Sequence, residues 1–288
     1  MPESGFQINT HPALDRPLLI AGFDGWGNAM NIASGMAAYL IRKLNAQRFA
    51  GINSDLFYHY DENRPFVNVK DGELKSLSHP GGSFFAVQTD SARRDLIILQ
   101  ADEPNLRWLY FADELFSLCE RLGVTTIITL GSMYDNVLHT DRIVSGIAST
   151  QDLTRRLKEK NVRSVSYQGP SAIHSTLMQK GAQKGFQCLS LWSHCPYYLQ
   201  GATHYGLLSH LGLLLSFLGE FELDTSDLEA NWKELNKQIQ ALIEETPGLQ
   251  SVIDELRKAK VRGSWERMKE AAQKDGKVIN LKDFLEPG

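Results

Sequence analysis

The chain has 288 residues, 42% hydrophobic and 22% charged, with a formal net charge of -4. That length buries well over half of the unfolded surface in one large domain or a domain with an appendage, and the composition excludes wholesale disorder and a membrane-embedded chain. The slight acidity leaves no electrostatic footprint for nucleic acid, and the three cysteines, Cys119, Cys188 and Cys195, lack C-x-x-C spacing, so neither a disulfide framework nor a cysteine zinc site is expected.

Residues 1–16 hold no basic segment followed by an apolar core, and the densest apolar run, Leu211 to Leu218, is too short to span a bilayer. A cytoplasmic protein without membrane contact is expected. The first strong signal is Leu18 to Ala29, where an apolar run breaks into Gly22, Gly25 and Gly27 and then restarts with helical spacing. It predicts a strand from Pro17 to Phe23, a tight turn and a helix, with the turn at a strand's carboxyl end, where open α/β sheets bind ligands. The glycines are spaced G-x-x-G-x-G around bulky Trp26, whereas a dinucleotide cradle needs G-x-G-x-x-G, so the turn reads as structural. Backbone amides near Asn28 are a candidate anion site at the helix start.

From Asp55 to Thr89 the pattern predicts short strands, with Phe57, Tyr58, Tyr60, Phe66, Val67 and Val69 before Asp71-Gly72 and Phe84, Phe85 and Val87 after it. A hairpin within an antiparallel extension of the sheet is expected. A buried strand follows over Asp95 to Ala101. Pro104 to Leu122 then reads as a helix with Pro104 in its first position, Trp108, Phe111, Leu115, Leu118, Cys119 and Leu122 on one stripe, and Gly123 as its stop. Glu103 and Arg107 fall one turn apart, at the spacing of a helical ion pair.

Further strands are predicted over Val124 to Leu130 and Phe186 to Trp192, with a weaker one at Arg163 to Tyr167. The alternation of strands and helices implies parallel strands, hence a three-layer α/β sandwich with a mostly parallel sheet and helices on both faces. Ser132, His139 and Asp141 then fall after one strand end, and His194 and Cys195 after another. His139 is the best placed general base, although a loop histidine bonded to backbone is the plainer reading. Neighbours on an extended chain point to opposite faces, so His194 and Cys195 do not pair as base and nucleophile. No metal spacing, Walker motif or G-x-S-x-G elbow accompanies them, so no metal and no cofactor is expected.

After Gly219 the composition changes. Asp224-Thr225-Ser226 offers N-caps, Leu228, Trp232, Leu235, Ile239 and Leu242 form a narrow seam, and Leu249, Val252, Ile253 and Leu256 resume it beyond Pro247-Gly248. This predicts a helical hairpin, dividing the chain into an α/β core (1–223) and a helical hairpin with tail (224–288). Arg257, Lys258, Lys260 and Arg262 read as a solvated helix end. The tail is polar apart from Trp265 and Val278 to Leu285.

Taken together, several segments carry a resemblance: Gly22-Phe23-Asp24-Gly25-Trp26-Gly27-Asn28-Ala29, Arg64-Pro65, Asp71-Gly72, Glu103-Pro104-Asn105-Leu106-Arg107-Trp108, Thr129-Leu130-Gly131, His139-Thr140, Gly146-Ile147-Ala148-Ser149, Tyr167-Gln168-Gly169-Pro170 and Ser190-Leu191-Trp192-Ser193-His194-Cys195-Pro196. In order and spacing they resemble the proteasome assembly chaperone 2 family in its archaeal and bacterial single-chain form, over most of Leu18 to Gly219. The resemblance implies a core similar to that of purine nucleoside phosphorylases, a C-terminal helical appendage, and self-assembly into homo-oligomers, trimers in bacterial relatives. Eukaryotic members help arrange proteasome α-subunits, and some archaeal members dock through a terminal hydrophobic-tyrosine-any motif, which the ending Leu285-Glu286-Pro287-Gly288 does not match. Asn28 stands where relatives usually have aspartate and Asp141 where they usually have arginine, which weakens a charged catalytic pair.

The function expected is therefore that of a non-enzymatic, oligomeric assembly or interaction protein. The alternative is a small-molecule enzyme or binder for a nucleotide, nucleoside or amino acid, carboligase-like or phosphorylase-like. Its pocket would gather Gly22, Gly25, Trp26, Asn28, Ser132, His139, Gly169, Pro170, Ser171 and His194 at the carboxyl ends of the strands.

Overall fold

The computed structural model describes residues 4–89, 93–262 and 279–280. The first half contains β1 (Phe6–Ile8), β2 (Leu18–Asp24), α1 (Ile32–Lys43), β3 (Gln47–Ile52), α2 (Ser54–Phe57), β4 (Phe66–Lys70), β5 (Glu73–Ser78), β6 (Gly82–Val87) and β7 (Leu96–Asp102). Then come α3 (Trp108–Arg121), β8 (Thr126–Asp135), β9 (Val144–Ala148), α4 (Gln151–Glu159), β10 (Arg163–Ser164), α5 (Ile173–Gln183) and β11 (Gln187–Pro196). The chain continues through β12 (Leu199–Gln200), α6 (Tyr205–Gly219), α7 (Ser226–Glu245), α8 (Pro247–Arg262) and β13 (Ile279–Asn280).

One nine-stranded mixed sheet organises the molecule, in the order β1-β3-β6-β7-β2-β8-β11-β9-β10. Its centre, β7-β2-β8-β11, is parallel throughout. These are the apolar runs expected to be buried on both faces, and β2 shows why: Leu18, Ile20 and their neighbours Ile98 and Ile128 face one core, while Leu19, Ala21, Phe23, Ile97 and Ile127 face the other. Helices α1, α4 and α6 contribute to the first core, and α3 and α5 to the second, which makes the three layers.

Several boundaries differ from expectation, for reasons visible in the pairing. β8 and β11 stay in register from Gln187 opposite Thr126 to Pro196 opposite Asp135, so backbone bonding carries both strands past their apolar stretches. His194 and Cys195 are thus inside β11, not after it. β6 supplies the antiparallel extension, between β7 and β3. The Asp71-Gly72 hairpin, β4-β5, is instead a separate two-stranded ribbon. Both turn residues take positive φ, 53° and 79°, the conformation of a tight primed turn. Phe57 ends a short helix instead of lying in a strand.

Helix α3 starts at Trp108, preceded by Arg107 at a left-handed φ of 52°. Pro104 therefore lies in the loop and not at the first helical position, and Glu103 and Arg107 are not one helical turn apart. Gly123, at φ 74°, does end the helix. Helices α7 and α8 pack Leu228, Trp232, Leu235, Ile239, Ile243, Leu249, Ile253 and Leu256 inward, with Ile243 taking the buried place expected of Leu242. Most of them meet Leu138, Tyr198 and Leu199 of the α/β layers. Among the described residues no helix is long and apolar enough to cross a membrane. Trp265 and Leu285 to Gly288 lie outside the described residues, as do the side chains of Lys260 and Arg262.

Candidate functional site

Parallel strands bring their carboxyl ends to one edge of the sheet, and the expected site residues divide into five separate groups. Gly25 and Trp26, after β2, line an open cleft of about 530 Å³ with Asp24, Glu62, Asn63, Asp102, Glu103, Pro104, Asn105 and Trp108. Glu103, which the sequence offered only as a helical ion-pair partner, is the organiser. Its carboxylate accepts the Trp26 N–H at 3.2 Å and the Ile173 N–H at 2.7 Å, fastening the β2 turn to the start of α5. A Cβ on Gly25 would stand 2.8 Å from the Glu103 Cβ, so this contact needs glycine.

The cleft is acidic. Asp102 accepts the Gly81 N–H at 2.8 Å, and burial, reinforced by nearby Asp24, pushes its carboxyl upward. Lining carboxylates from Asp24, Glu62, Asp102 and Glu103, beside the indoles of Trp26 and Trp108, favour cationic groups and repel phosphate.

Gly22, Asn28 and Ser132 lie beneath this surface. Gly22 allows α1 to press on β2: a Cβ there would come within 2.5 Å of the Ala33 carbonyl oxygen. The Asn28 Oδ1 accepts the N–H groups of Ala33 and Ser34 at 2.9 and 3.2 Å, and its Nδ2 donates to Asp24 and Ser34. The amides expected to await an anion are thus occupied by Asn28 itself. Ser132 donates its hydroxyl to the Ala29 carbonyl at 2.8 Å.

His139 is 1% exposed and sits under α7. Its Nδ1 meets the Tyr198 hydroxyl at 2.8 Å and its Nε2 meets the Gln240 side-chain nitrogen at 2.9 Å, while its carbonyl accepts from the His204 Nε2 at 2.9 Å. A neutral ring with its proton on Nδ1 satisfies this set, and burial pushes the imidazole down to about 4. His139 is structural here.

His194 belongs to a different network. Its Nδ1 lies 2.8 Å from the Asp135 Oδ2 and its Nε2 lies 2.9 Å from the Ser145 Oγ. The order Asp-His-Ser is that of a nucleophilic relay, but Ser145 is 1% exposed, so the trio cross-links β8, β11 and β9 without presenting a nucleophile. Cys195 is fully buried, with burial pushing its thiol up to about 12. Gly169, Pro170 and Ser171 occupy an exposed loop before α5, closed by the Tyr167 hydroxyl donating to the Pro170 carbonyl at 2.8 Å. The edge thus gathers Gly25 and Trp26 around an open cleft, and places the histidines in two separate networks, His139 in a buried one and His194 in a half-buried one. Among the described residues no cluster of three or more His, Cys, Asp or Glu is arranged to hold a metal ion.

The description PAC2 family belongs to the family model that matches residues 19–243. A PAC2 family protein from Streptomyces avermitilis superposes with a TM-score of 0.72 at 25% identity, over 82% of this chain and 99% of its own. A proteasome-assembly chaperone homologue from Mycobacterium tuberculosis gives 0.74 at 24% identity, over 82% and 99%. An archaeal proteasome activator from Pyrococcus furiosus gives 0.62 at 19%, over 82% and 97%. No curated protein matches by sequence.

Proposed function

The chain belongs to the PAC2 family, and on that premise we propose that it is an assembly or interaction protein, acting in the cytoplasm as a homo-oligomer that holds other protein chains. The observation that supports this reading is the chain's exposed apolar surface. Trp26 is 67% exposed and Tyr167 66%, Tyr134 and Ile147 also face solvent, and the β4-β5 ribbon adds a further aliphatic strip. Large apolar side chains left in solvent offer contact area to other proteins. The similarity in fold to a proteasome-assembly chaperone homologue and to an archaeal proteasome activator points the same way.

Affinity capture of the tagged chain from its native host tests this. A companion retained in defined stoichiometry is expected; a chain recovered alone, across repeated captures at low salt, defeats the reading. The cleft beside Trp26 supports a second reading, binding of a small cationic ligand, since its lining repels the phosphates of nucleotides. Under that reading an amine or basic amino acid raises the melting temperature, because it binds only the folded chain.

A further inference from the structure

We infer that the cleft beside Trp26 is a socket for an arginine side chain presented by an extended segment of a partner protein, its guanidinium stacked on indole and bonded to Asp24 and Asp102. The inference rests on the interaction-protein reading and names the surface and the chemistry of the partner. Strand register sets the two carboxylates side by side. Asp24 lies opposite Asp102 at the ends of neighbouring parallel strands, so their side chains share a face of the sheet. One oxygen of each is engaged within the chain: the Asp24 Oδ1 accepts from the Asn28 Nδ2 at 2.9 Å, and the Asp102 Oδ2 accepts the Gly81 N–H at 2.8 Å. The second oxygen of each has no hydrogen-bond partner among the described residues.

The chain supplies no cation to balance them. Among the described residues no lysine or arginine lines the cleft, and none makes an ion pair with Asp24, Glu62, Asp102 or Glu103. Arg64 and Arg107, close by in sequence, are exposed and stand outside the lining. Burial and the neighbouring Asp24 hold the Asp102 carboxyl above its ordinary value, as expected of an acid without a counter-ion. A positive group arriving from outside meets a charge that the fold leaves unanswered.

The walls choose among cations. Trp26 is 67% exposed, and Trp108 is fixed by its indole N–H donating to the Pro104 carbonyl. A planar guanidinium stacks on such rings while its fork reaches two carboxylate oxygens, whereas an ammonium is a compact, strongly hydrated point charge. The same lining decides what carries the guanidinium. A free amino acid brings its own α-carboxylate among four others, while a residue inside a peptide brings none. At about 530 Å³ and open to solvent, the cleft admits a long side chain and leaves the backbone that bears it outside.

Magnetic resonance of the isotope-labelled full-length chain tests this through its indole N–H signals, those of Trp26 and Trp108 being identified by their loss in Trp26→Phe and Trp108→Phe. The probe is the tripeptide glycyl-arginyl-glycine with both ends capped, set against capped tripeptides carrying lysine or neutral citrulline and against free arginine. The arginine peptide is expected to shift both signals saturably, the lysine peptide and free arginine to bind more weakly, and the citrulline peptide to shift neither. Asp24→Asn/Asp102→Asn, whose amides can still accept the bonds from Asn28 and Gly81, is expected to weaken binding about tenfold or more. Glu62→Gln, at an exposed side chain, is expected to weaken it less and serves if the double variant does not fold. No saturable shift, a citrulline or lysine peptide bound as tightly, or unchanged affinity in every folded variant overturns the inference. Free arginine binding as tightly as the capped peptide gives the cleft to a small ligand and overturns it too. Capture from the host answers separately: a chain that keeps a companion while its Trp26 signal ignores the arginine peptide retains the interaction reading and loses the socket. A chain that binds the peptide but is recovered alone loses the interaction reading and keeps the arginine site.

Discussion

Glu103 shows how one side chain can define a site that neighbouring residues only decorate. Its two carboxylate oxygens hold the Trp26 and Ile173 amides, which belong to the turn after β2 and to the first turn of α5. Glu103→Ala leaves the half-buried Ile173 N–H without its acceptor and is expected to cost roughly 1–3 kcal/mol, while the exposed Trp26 N–H turns to water. Hydrogen exchange checks the assignment: the Trp26 and Ile173 amides should speed up together, and unchanged protection at both would contradict it. The sequence could not show this role, because i, i+4 spacing around Pro104 advertised Arg107 as the partner and nothing local announced that α3 starts late. His139 was equally opaque. Its seal is Gln240, 101 positions away, and no nearby residue marks the loop as covered.

At the level of elements, legibility followed burial. The four central strands were readable since two-sided burial demands unbroken apolar runs, and the Asp71-Gly72 turn was readable since few residue pairs accept two successive positive φ angles. β3 and β9 were not, because Gln47-Arg48 opens one and Ser145-Gly146 interrupts the other, and both are held by pairing with neighbours far along the chain. The β2-α1 contact follows the same logic of closeness. Gly22→Ala should push α1 off the sheet, since both the Ala33 carbonyl and the Ala37 methyl crowd the new Cβ, at 2.5 and 3.0 Å. A loss of about 1–3 kcal/mol is expected from overpacking at a site with no room to yield, read as a lower urea midpoint at unchanged slope. A neutral result would mean that helix and strand separate more easily than their packing suggests.

For the whole molecule the buried histidines set a pH limit. His139, His174 and His204 are each pushed from 6.5 down to about 4, first of all by burial. Folded-state values below the unfolded ones mean that the unfolded chain takes up protons first as pH falls, so stability is full above about 7 and declines between roughly 6.5 and 4. His204 also caps α6, its Nδ1 accepting the Leu207 N–H at 3.1 Å, a role open only to the neutral ring. Urea midpoints measured from pH 8 to pH 4 should fall through that window, and His204→Asn, which can still cap the helix, should flatten the fall. A profile in His204→Asn as steep as that of wild type would remove His204 from the account.

The seam between α7-α8 and Leu138, Tyr198 and Leu199 has a temporal consequence as well. A ribosome emits Leu138 and Tyr198 well before Leu256, and at roughly 5–20 residues per second the covering helices lag Leu199 by several seconds. Throughout that interval the nascent polypeptide displays the apolar surface that its own last helices will later cover.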